Sequence, residues 1–352
     1  MNRNAENRGR DFGADAVRIA ALFMVLWVHF FLRNGFYYSK VTDAGGFFTV
    51  MWRIVCMCCV PLFLMLTGYL KCGKPWDRNY YRSLLPVLCT YVLVSAIQLL
   101  YKTLILKEAA SAGEWFLSLL RFELANYSWY IGMYLGLFLV SPVLNLAWRA
   151  CADRRAHRGL VLTMICVTFL PATVNGTVLG NLMPEYFSSL YYATWYVIGA
   201  YIRTYQPRPR RRHLALLLLA GSALLACANI ATRTEPDRFY SGMNVWYNGL
   251  IPGAMATAAF LLLYQFESEN RIVQRAAAFV SDMVLELYLL SYIADSRIYV
   301  LFYGEYPLCA FLPVGILMTA AVFLLTFLPA MGVNRLSRWI CGRRKGAGIG
   351  QG

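Results

Sequence analysis

Long apolar runs alternate with short basic segments along nearly the whole chain. A helix needs roughly 20 mostly apolar residues to cross the hydrocarbon core of a bilayer. By this criterion the sequence predicts an all-α polytopic membrane bundle of about ten transmembrane helices. The predicted helices cover residues 15–34, 47–70, 83–106, 128–148, 159–178, 189–204, 213–231, 247–266, 279–302 and 308–331. The segment 114–126 is amphipathic, which predicts a position on the outer membrane surface.

The distribution of Lys and Arg predicts the orientation of this bundle. If the N-terminus is cytoplasmic, every basic cluster falls in a loop on the cytoplasmic side, and only scattered charges fall on the other side. Cytoplasmic loops carry an excess of Lys and Arg, so both termini are predicted to be cytoplasmic. The clusters are Lys71, Lys74, Arg78 and Arg82; Arg149, Arg154, Arg155 and Arg158; Arg208 and 210–212; Arg271 and Arg275; and Arg335, Arg338, Arg343, Arg344 and Lys345.

Composition supports a membrane-embedded chain, with 59% hydrophobic and only 14% charged residues. A soluble domain is nearer half apolar and a quarter charged. The net charge of +15 would suit a nucleic-acid partner, but no separate basic domain exists, so no nucleic-acid binding is predicted. The chain is predicted to consist of a tail at 1–14, one membrane domain at 15–334 and a basic cytoplasmic tail at 335–352.

Ionisable residues within the predicted spans mark candidate sites, because each costs about 2.5–3.5 kcal/mol on insertion scales. Asp282, Glu286 and Arg297 fall near one helical face, which predicts a buried ion pair, with acceptor binding by Glu286 as the alternative. The full set is Arg18, His29, Arg53, Asp282, Glu286, Asp295 and Arg297. Cys56, Cys58 and Cys59 lie in an apolar run with no nearby histidine, so no metal site is predicted.

Arg18 and His29 lie eleven residues apart in the first predicted helix. At 100° per residue they share one face, separated by roughly 16 Å along the axis. This spacing predicts a passage from a cation at the cytoplasmic mouth, where Asp15 can pair with Arg18, to an imidazole deep in the membrane. The alternative is a histidine bonded to a neighbouring carbonyl. His157 and His213 lie in basic loops, where a solvated position is expected.

Four segments resemble the acyltransferase 3 family of membrane-bound acyltransferases. Residues 15–29 contain its arginine–x10–histidine signature as Arg18 and His29. Residues 60–70 (VPLFLMLTGYL) resemble the end of its second helix, and 78–86 (RNYYRSLLP) resembles its arginine-rich stretch. Residues 128–134 (SWYIGMY) resemble its Trp-Tyr helix start.

The resemblance implies acyl-CoA as co-substrate, most often acetyl-CoA, with no bound cofactor. It implies a hydroxyl of a bacterial surface polysaccharide or lipid-linked sugar as acceptor, and a place in the bacterial cytoplasmic membrane. Arg18, Arg78 and Arg82 are the predicted acyl-CoA-binding residues, although the last two also satisfy the positive-inside rule alone. Oligomeric state is not predicted.

The predicted acceptor-binding residues are Trp129, Tyr130, Glu286 and Ser291. An interfacial aromatic belt explains Trp129 and Tyr130 about as well. Ser291 stands where the family often has histidine, so a second histidine is absent there.

The predicted function is therefore membrane O-acyl transfer. His29, Arg18 and Asp15 are the predicted catalytic residues, with His29 acting as general base or as a covalent acyl relay. The alternatives from other classes are a transporter or flippase for a lipid-linked sugar and a catalytically silent membrane sensor.

Overall fold

A computed structural model of the protein describes residues 10–41, 43–175, 182–232, 247–304 and 307–342. Helices are the only regular secondary structure in these ranges, as predicted. The α-helices are α1 (Phe12–Arg33), α2 (Ala44–Cys56), α3 (Cys59–Lys71), α4 (Arg78–Arg82), α5 (Leu85–Leu104), α6 (Ala112–Leu120), α7 (Trp129–Ala150), α8 (Arg154–Val174), α9 (Tyr191–Tyr205), α10 (Arg211–Ala231), α11 (Leu250–Leu263), α12 (Arg271–Ser281), α13 (Val284–Ile298) and α14 (Phe311–Ile340).

Seven helical stretches in the described ranges are long and apolar enough to cross a membrane, or eight if the bent pair α12–α13 is one span. The other two predicted helices are present as α9 and α11, with 15 and 14 residues. A helical membrane bundle is thus confirmed. The number of ten crossings and the side on which each terminus lies stay predictions.

The helices divide into an inner group and a lipid-facing group. α1 contacts α2, α3, α11, α12, α13 and α14, and so lies at the centre of the bundle. α14 instead exposes a long apolar face that includes Ile316, Leu317, Leu324 and Leu328. Such a face is stable only in contact with lipid or another apolar surface.

α9 lies inside the bundle, with residues 193–200 all buried. It packs closely on α3 through a reciprocal pair of glycines. A Cβ at Gly68 would lie 1.9 Å from the Tyr196 carbonyl oxygen, and a Cβ at Gly199 would lie 1.9 Å from the Met65 carbonyl oxygen. Small residues permit this backbone approach, as in many membrane helix pairs.

Two helices predicted as continuous are interrupted. The predicted helix 47–70 breaks at Met57 and Cys58 into α2 and α3. The predicted helix 279–302 breaks at Asp282 and Met283, where α12 and α13 meet with a bend of 63°. At the chain ends, α1 begins at Phe12 because the Asp11 side chain caps it, and α14 extends into the predicted tail as far as Ile340.

Charged residues gather several helix ends at one end of the bundle, called here the basic end. Arg10, just before α1, donates to Asp282 at the α12–α13 break over 2.7 Å. Asp282 also accepts from Arg338 of α14 over 3.0 Å. Asp11 accepts from the hydroxyl of Tyr69, near the end of α3, over 2.8 Å. These contacts join helix ends that the charge distribution predicts to share one side.

Candidate active site

A cavity of about 320 Å³ lies between α1, α3, α7 and the α12–α13 pair. Arg18 and His29 both line it, which confirms that they share one face of α1. Arg18, Lys71 and Asp282 line its mouth at the basic end, and His29 lies at its deep end. Two polar ends are therefore separated along α1 by roughly 16 Å.

The wall between the two ends is largely apolar. It includes Val25 and Val28 of α1, Phe63 of α3, Ile131 of α7 and Leu285 of α13. A ligand site of this kind binds an elongated molecule through its apolar wall and orients it with a few polar groups.

At the mouth, Arg18 donates to the Ser281 hydroxyl over 2.5 Å and lies 3.5 Å from the Asp15 carboxylate. The predicted Asp15–Arg18 pair is present. Arg10 is nevertheless the closer partner of Asp15, with two hydrogen bonds of 2.7 and 3.0 Å. The hydrogen bond to Asp15 is the largest influence on the pKa of the Arg10 guanidinium and raises it.

At the deep end, a fully buried carboxylate is the centre of a polar cluster. The Oδ2 atom of Asp295 lies 3.5 Å from Nδ1 of His29 and accepts the Tyr127 hydroxyl over 2.7 Å. Its Oδ1 atom lies 3.0 Å from Nε of Arg33. His29 and Arg33 are four residues apart on α1, so both reach Asp295 from one face.

The His29 ring is held on two sides. It stacks on Tyr127, with ring centroids 3.6 Å apart and planes inclined by 19°. Because Nδ1 faces Asp295, Nε2 is the nitrogen left for the cavity that His29 lines. A carboxylate beside Nδ1 favours the tautomer with its lone pair on Nε2. Within the described residues no carbonyl oxygen pairs with His29, so the alternative of a carbonyl-bonded histidine is not what the structure shows.

Arg78 and Arg82 are exposed on the short helix α4 and do not line the cavity. α4 is nevertheless close to the mouth, because Nζ of Lys71 donates over 3.3 Å to the hydroxyl of Ser83, the residue that follows α4. Their predicted role in binding acyl-CoA stays a prediction.

The predicted acceptor residues divide into two groups. Trp129 and Tyr130, at the start of α7, both line the cavity. Glu286 and Ser291 of α13 are buried outside its lining. Their roles in acceptor binding stay predictions.

The local contacts of these two α13 residues are with protein groups. Glu286 accepts from Thr90 over 3.0 Å and from Asn334 over 3.1 Å. Ser291 donates to the Tyr288 carbonyl over 2.8 Å. Glu286 thus links α13 to α5 and α14, whereas Ser291 bonds to the backbone of α13 itself.

The predicted ion pair among Asp282, Glu286 and Arg297 is wrong. The 63° bend lies after Asp282, so counting 100° per residue across it fails. Asp282 pairs with arginines at the mouth, whereas Arg297 donates to the Tyr101 hydroxyl over 2.8 Å. Arg53, also within a predicted span, donates to the Tyr37 hydroxyl over 3.2 Å.

The expectation of a solvated His157 is also wrong. Its side chain is buried and hydrogen-bonds to the Tyr205 hydroxyl over 2.8 Å and the Trp148 carbonyl over 2.9 Å. The Trp148 ring covers the imidazole at 3.9 Å between centroids. Trp148 and Tyr205 thus shield the imidazole of His157 from water, although the loop around it is basic. His213, by contrast, is exposed as expected.

Two residues of the deep end, Arg33 and Tyr127, were not predicted as site residues, and Asp295 was predicted only as a candidate ionisable residue without an assigned role. For Arg33, the four-residue spacing from His29 was an available signal. Nothing in the sequence marks Tyr127, which lies in an irregular segment before α7.

In the part of the chain that the structure describes, no three His, Cys, Asp or Glu side chains lie close enough together to bind a metal ion. Cys56, Cys58 and Cys59 are buried free thiols. Buried free cysteines of this kind act as small apolar side chains.

Comparison with known families gives one match. Residues 11–331 match the sequence model of the acyltransferase 3 family, described as an acyltransferase domain, and this region is nearly the whole chain. The searches of curated proteins and of solved structures find no significant match.

Proposed function

The chain belongs to the acyltransferase 3 family, and on that premise we propose that it is an acyl-CoA-dependent O-acyltransferase with His29 as general base. The proposed acceptor is a hydroxyl of a surface polysaccharide or lipid-linked sugar. The proposed location is the bacterial cytoplasmic membrane, with the basic end in the cytoplasm.

One observation carries this proposal: a single cavity joins a guanidinium at the mouth to an imidazole at the deep end. Acyl-CoA has the same order of groups, since anionic phosphates are followed by an uncharged pantetheine arm and a terminal thioester. An apolar wall suits the arm, and cationic groups suit the phosphates. A donor bound in this direction brings its thioester to His29.

The proposed phosphate site is formed by Arg18 and Lys71, which line the mouth, with Arg78 and Arg82 on the adjacent helix α4. Guanidinium groups bind phosphate oxygens with two parallel hydrogen bonds. Acetyl-CoA is the proposed donor among short acyl-CoA esters.

The proposed acceptor site is at the start of α7. The hydroxyl of Tyr130 makes no hydrogen bond in the described ranges and Tyr130 lines the cavity, so it is available to a sugar hydroxyl. Trp129 lines the same cavity while 45% of its surface remains exposed, which offers an aromatic face at an accessible edge.

The chemistry follows from the orientation of His29. Nε2 takes the proton of the acceptor hydroxyl while that oxygen attacks the thioester carbonyl. The resulting oxyanion collapses, the carbon–sulfur bond breaks, and the imidazolium returns the proton to the CoA thiolate. The products are an acyl ester and free CoA. Asp295 orients the ring and stabilises its charged form, as the acid does in a Ser-His-Asp triad.

His29→Gln tests the proposal, with His157→Gln as matched control because His157 is a similarly buried histidine that does not line the cavity. The purified variants, in proteoliposomes, receive radiolabelled acetyl-CoA and a cell-envelope glycan fraction. CoA release and glycan label are measured together. Loss of the base is expected to lower the transfer rate on the order of a hundredfold or more.

His157→Gln is expected to keep the wild-type rate per folded molecule. Glycan labelling by His29→Gln at the wild-type rate would refute the role of His29. Absence of CoA release from wild-type protein with acetyl-CoA, succinyl-CoA and longer acyl-CoA esters would refute the acyl-CoA-dependent activity itself.

A further inference from the structure

The segment 121–128 between α6 and α7 is strained at two positions. Phe122 and Tyr127 adopt positive φ angles of 59° and 71°. Neither is glycine, and the left-handed region costs a bulky residue on the order of 1–3 kcal/mol. Such strain persists only where the surrounding structure imposes it, so the contacts of this segment are informative.

Buried polar side chains of α5 impose the shape of the segment. Nζ of Lys102 donates to the Leu124 carbonyl over 2.9 Å, and the Gln98 side chain accepts from the Asn126 backbone over 2.8 Å. Lys102 and Gln98 are both buried, although a long charged or amide side chain is normally exposed. Burying these groups to hold a loop is costly, which argues that the loop has a defined shape for a reason.

The side chain presented by this shape is Tyr127. Its backbone carbonyl accepts the Tyr288 hydroxyl over 2.7 Å, which fixes it from α13. Its ring then lies flat on His29, with centroids 3.6 Å apart. Its hydroxyl donates to Asp295 over 2.7 Å and accepts from Arg33 over 3.1 and 3.2 Å.

We propose that Tyr127 is a positioning residue for acyl transfer, whose ring fixes the plane of His29 and whose hydroxyl fixes the carboxylate of Asp295. It does not line the cavity, so it acts on the reaction only through these two residues. The inference rests on the proposed function, because it assigns Tyr127 to the general base of that reaction.

A packing role alone does not account for the arrangement. Phe30 and Phe31 fill the core beside His29 on α1 with ordinary helical backbone and no polar partner. Tyr127 instead combines a left-handed backbone, a parallel stack and a hydroxyl shared between a buried acid and a guanidinium. Each feature constrains the orientation of the ring or the carboxylate, which core filling does not require.

The two functions of the side chain can be separated by substitution. Tyr127→Phe keeps the stack and removes the hydroxyl, whereas Tyr127→Leu removes both. Groups that hydrogen-bond to a metal-binding side chain and so orient it typically contribute about 10–100-fold to activity. By analogy, kcat is expected to fall about tenfold in Tyr127→Phe and about a hundredfold in Tyr127→Leu. The KM for acetyl-CoA is expected to stay at the wild-type value in both.

Tyr299→Phe is the matched control. It removes a buried tyrosine hydroxyl that donates to the Leu26 carbonyl of the same helix α1 over 3.1 Å, and Tyr299 does not line the cavity. Its kcat is expected to equal that of wild type. Thermal unfolding of all three variants reports the folded fraction, and kcat is referred to folded protein.

A double-variant cycle tests whether the Tyr127 hydroxyl acts through Asp295. If it does, Tyr127→Phe has no further effect on kcat once Asp295→Asn is present. A merely structural loss would instead multiply with the effect of Asp295→Asn. Independent multiplication, or wild-type kcat in Tyr127→Leu, would overturn the inference. Either result leaves the proposed function standing, since wild-type protein would still release CoA and label the glycan.

Discussion

The two ends of the cavity use the same kinds of residues in different environments. At the mouth, Arg10 just before α1 pairs with Asp282 at the α12–α13 break, and at the deep end His29 of α1 lies beside Asp295 of α13. At the mouth, the Asp282 side chain is 35% exposed and lies between Arg10 and Arg338. At the deep end, Asp295 is fully buried and shared by His29 and Arg33.

The difference in exposure determines what each cluster can do. An exposed ion pair contributes about 0–1 kcal/mol, so its members exchange partners readily and can accept an anionic ligand. A buried pair is costly to break, which keeps its members in one geometry. The mouth is therefore suited to binding and releasing the proposed acyl-CoA donor, and the deep end to holding the ring of the proposed general base.

Asp295→Asn is the strongest test of this difference. The imidazole would lose the acid that orients it, and kcat is expected to fall by up to about 10⁴-fold, the loss seen when a triad acid is replaced by its amide. The KM for acetyl-CoA should change little, because Asp295 does not line the cavity. Initial rates of CoA release over a range of acetyl-CoA concentrations measure both constants.

A second substitution separates folding from catalysis in this test. Asp295→Asn leaves the Arg33 charge without its acid, and breaking a buried pair costs about 3–5 kcal/mol of stability. Adding Arg33→Gln removes that charge and is expected to recover much of the unfolding temperature without recovering kcat. Recovery of both together would show that Asp295 serves the fold alone.

Arg18→Ala should change the KM for acetyl-CoA rather than kcat. A hydrogen bond to a charged group is worth about 1.5–3 kcal/mol, so the KM for acetyl-CoA is expected to rise about tenfold to a hundredfold. kcat at saturating donor should stay near wild type, because Arg18 is roughly 16 Å from His29 along α1.

Arg275→Ala is the control for a general loss of positive charge. Arg275 is exposed on α12 at the basic end but does not line the cavity, so its donor KM is expected to match wild type. Equal KM increases in Arg18→Ala and Arg275→Ala would mean that net charge, rather than a site at Arg18, attracts the donor.

The sequence predicts the regular part of this site well. Helical periodicity is enough to bring Arg18 and His29 to one face, because both lie within the unbroken helix α1. Apolar length is enough to identify a bundle of membrane helices, because the cost of unsatisfied backbone groups in lipid allows few other structures. Both predictions depend only on properties repeated along one helix.

The missed parts depend on departures from regularity. The bend after Asp282 rotates the following helix, so the face shared by Asp282 and Arg297 in an ideal helix does not exist. Tyr127 lies in a loop and itself adopts a left-handed backbone conformation, which no helical periodicity predicts. Asp295 could not be identified as the partner of His29, because the two residues lie on α1 and α13, helices that are far apart in the sequence.

Asp282→Asn gives the smallest effect and examines the mouth by itself. In the wild type this carboxylate pairs with Arg10 and Arg338, so its removal raises the net positive charge that a bound phosphate meets at the mouth. Its removal is expected to lower the KM for acetyl-CoA about two- to fivefold at low salt, the range set by an exposed ion pair. Because salt screens exposed charges, the two KM values should converge near 0.5 M NaCl, while kcat is the same for both proteins at every salt concentration. A salt-independent change in kcat would show that the mouth and the deep end are coupled, and the assignment of binding to one and catalysis to the other would then be wrong.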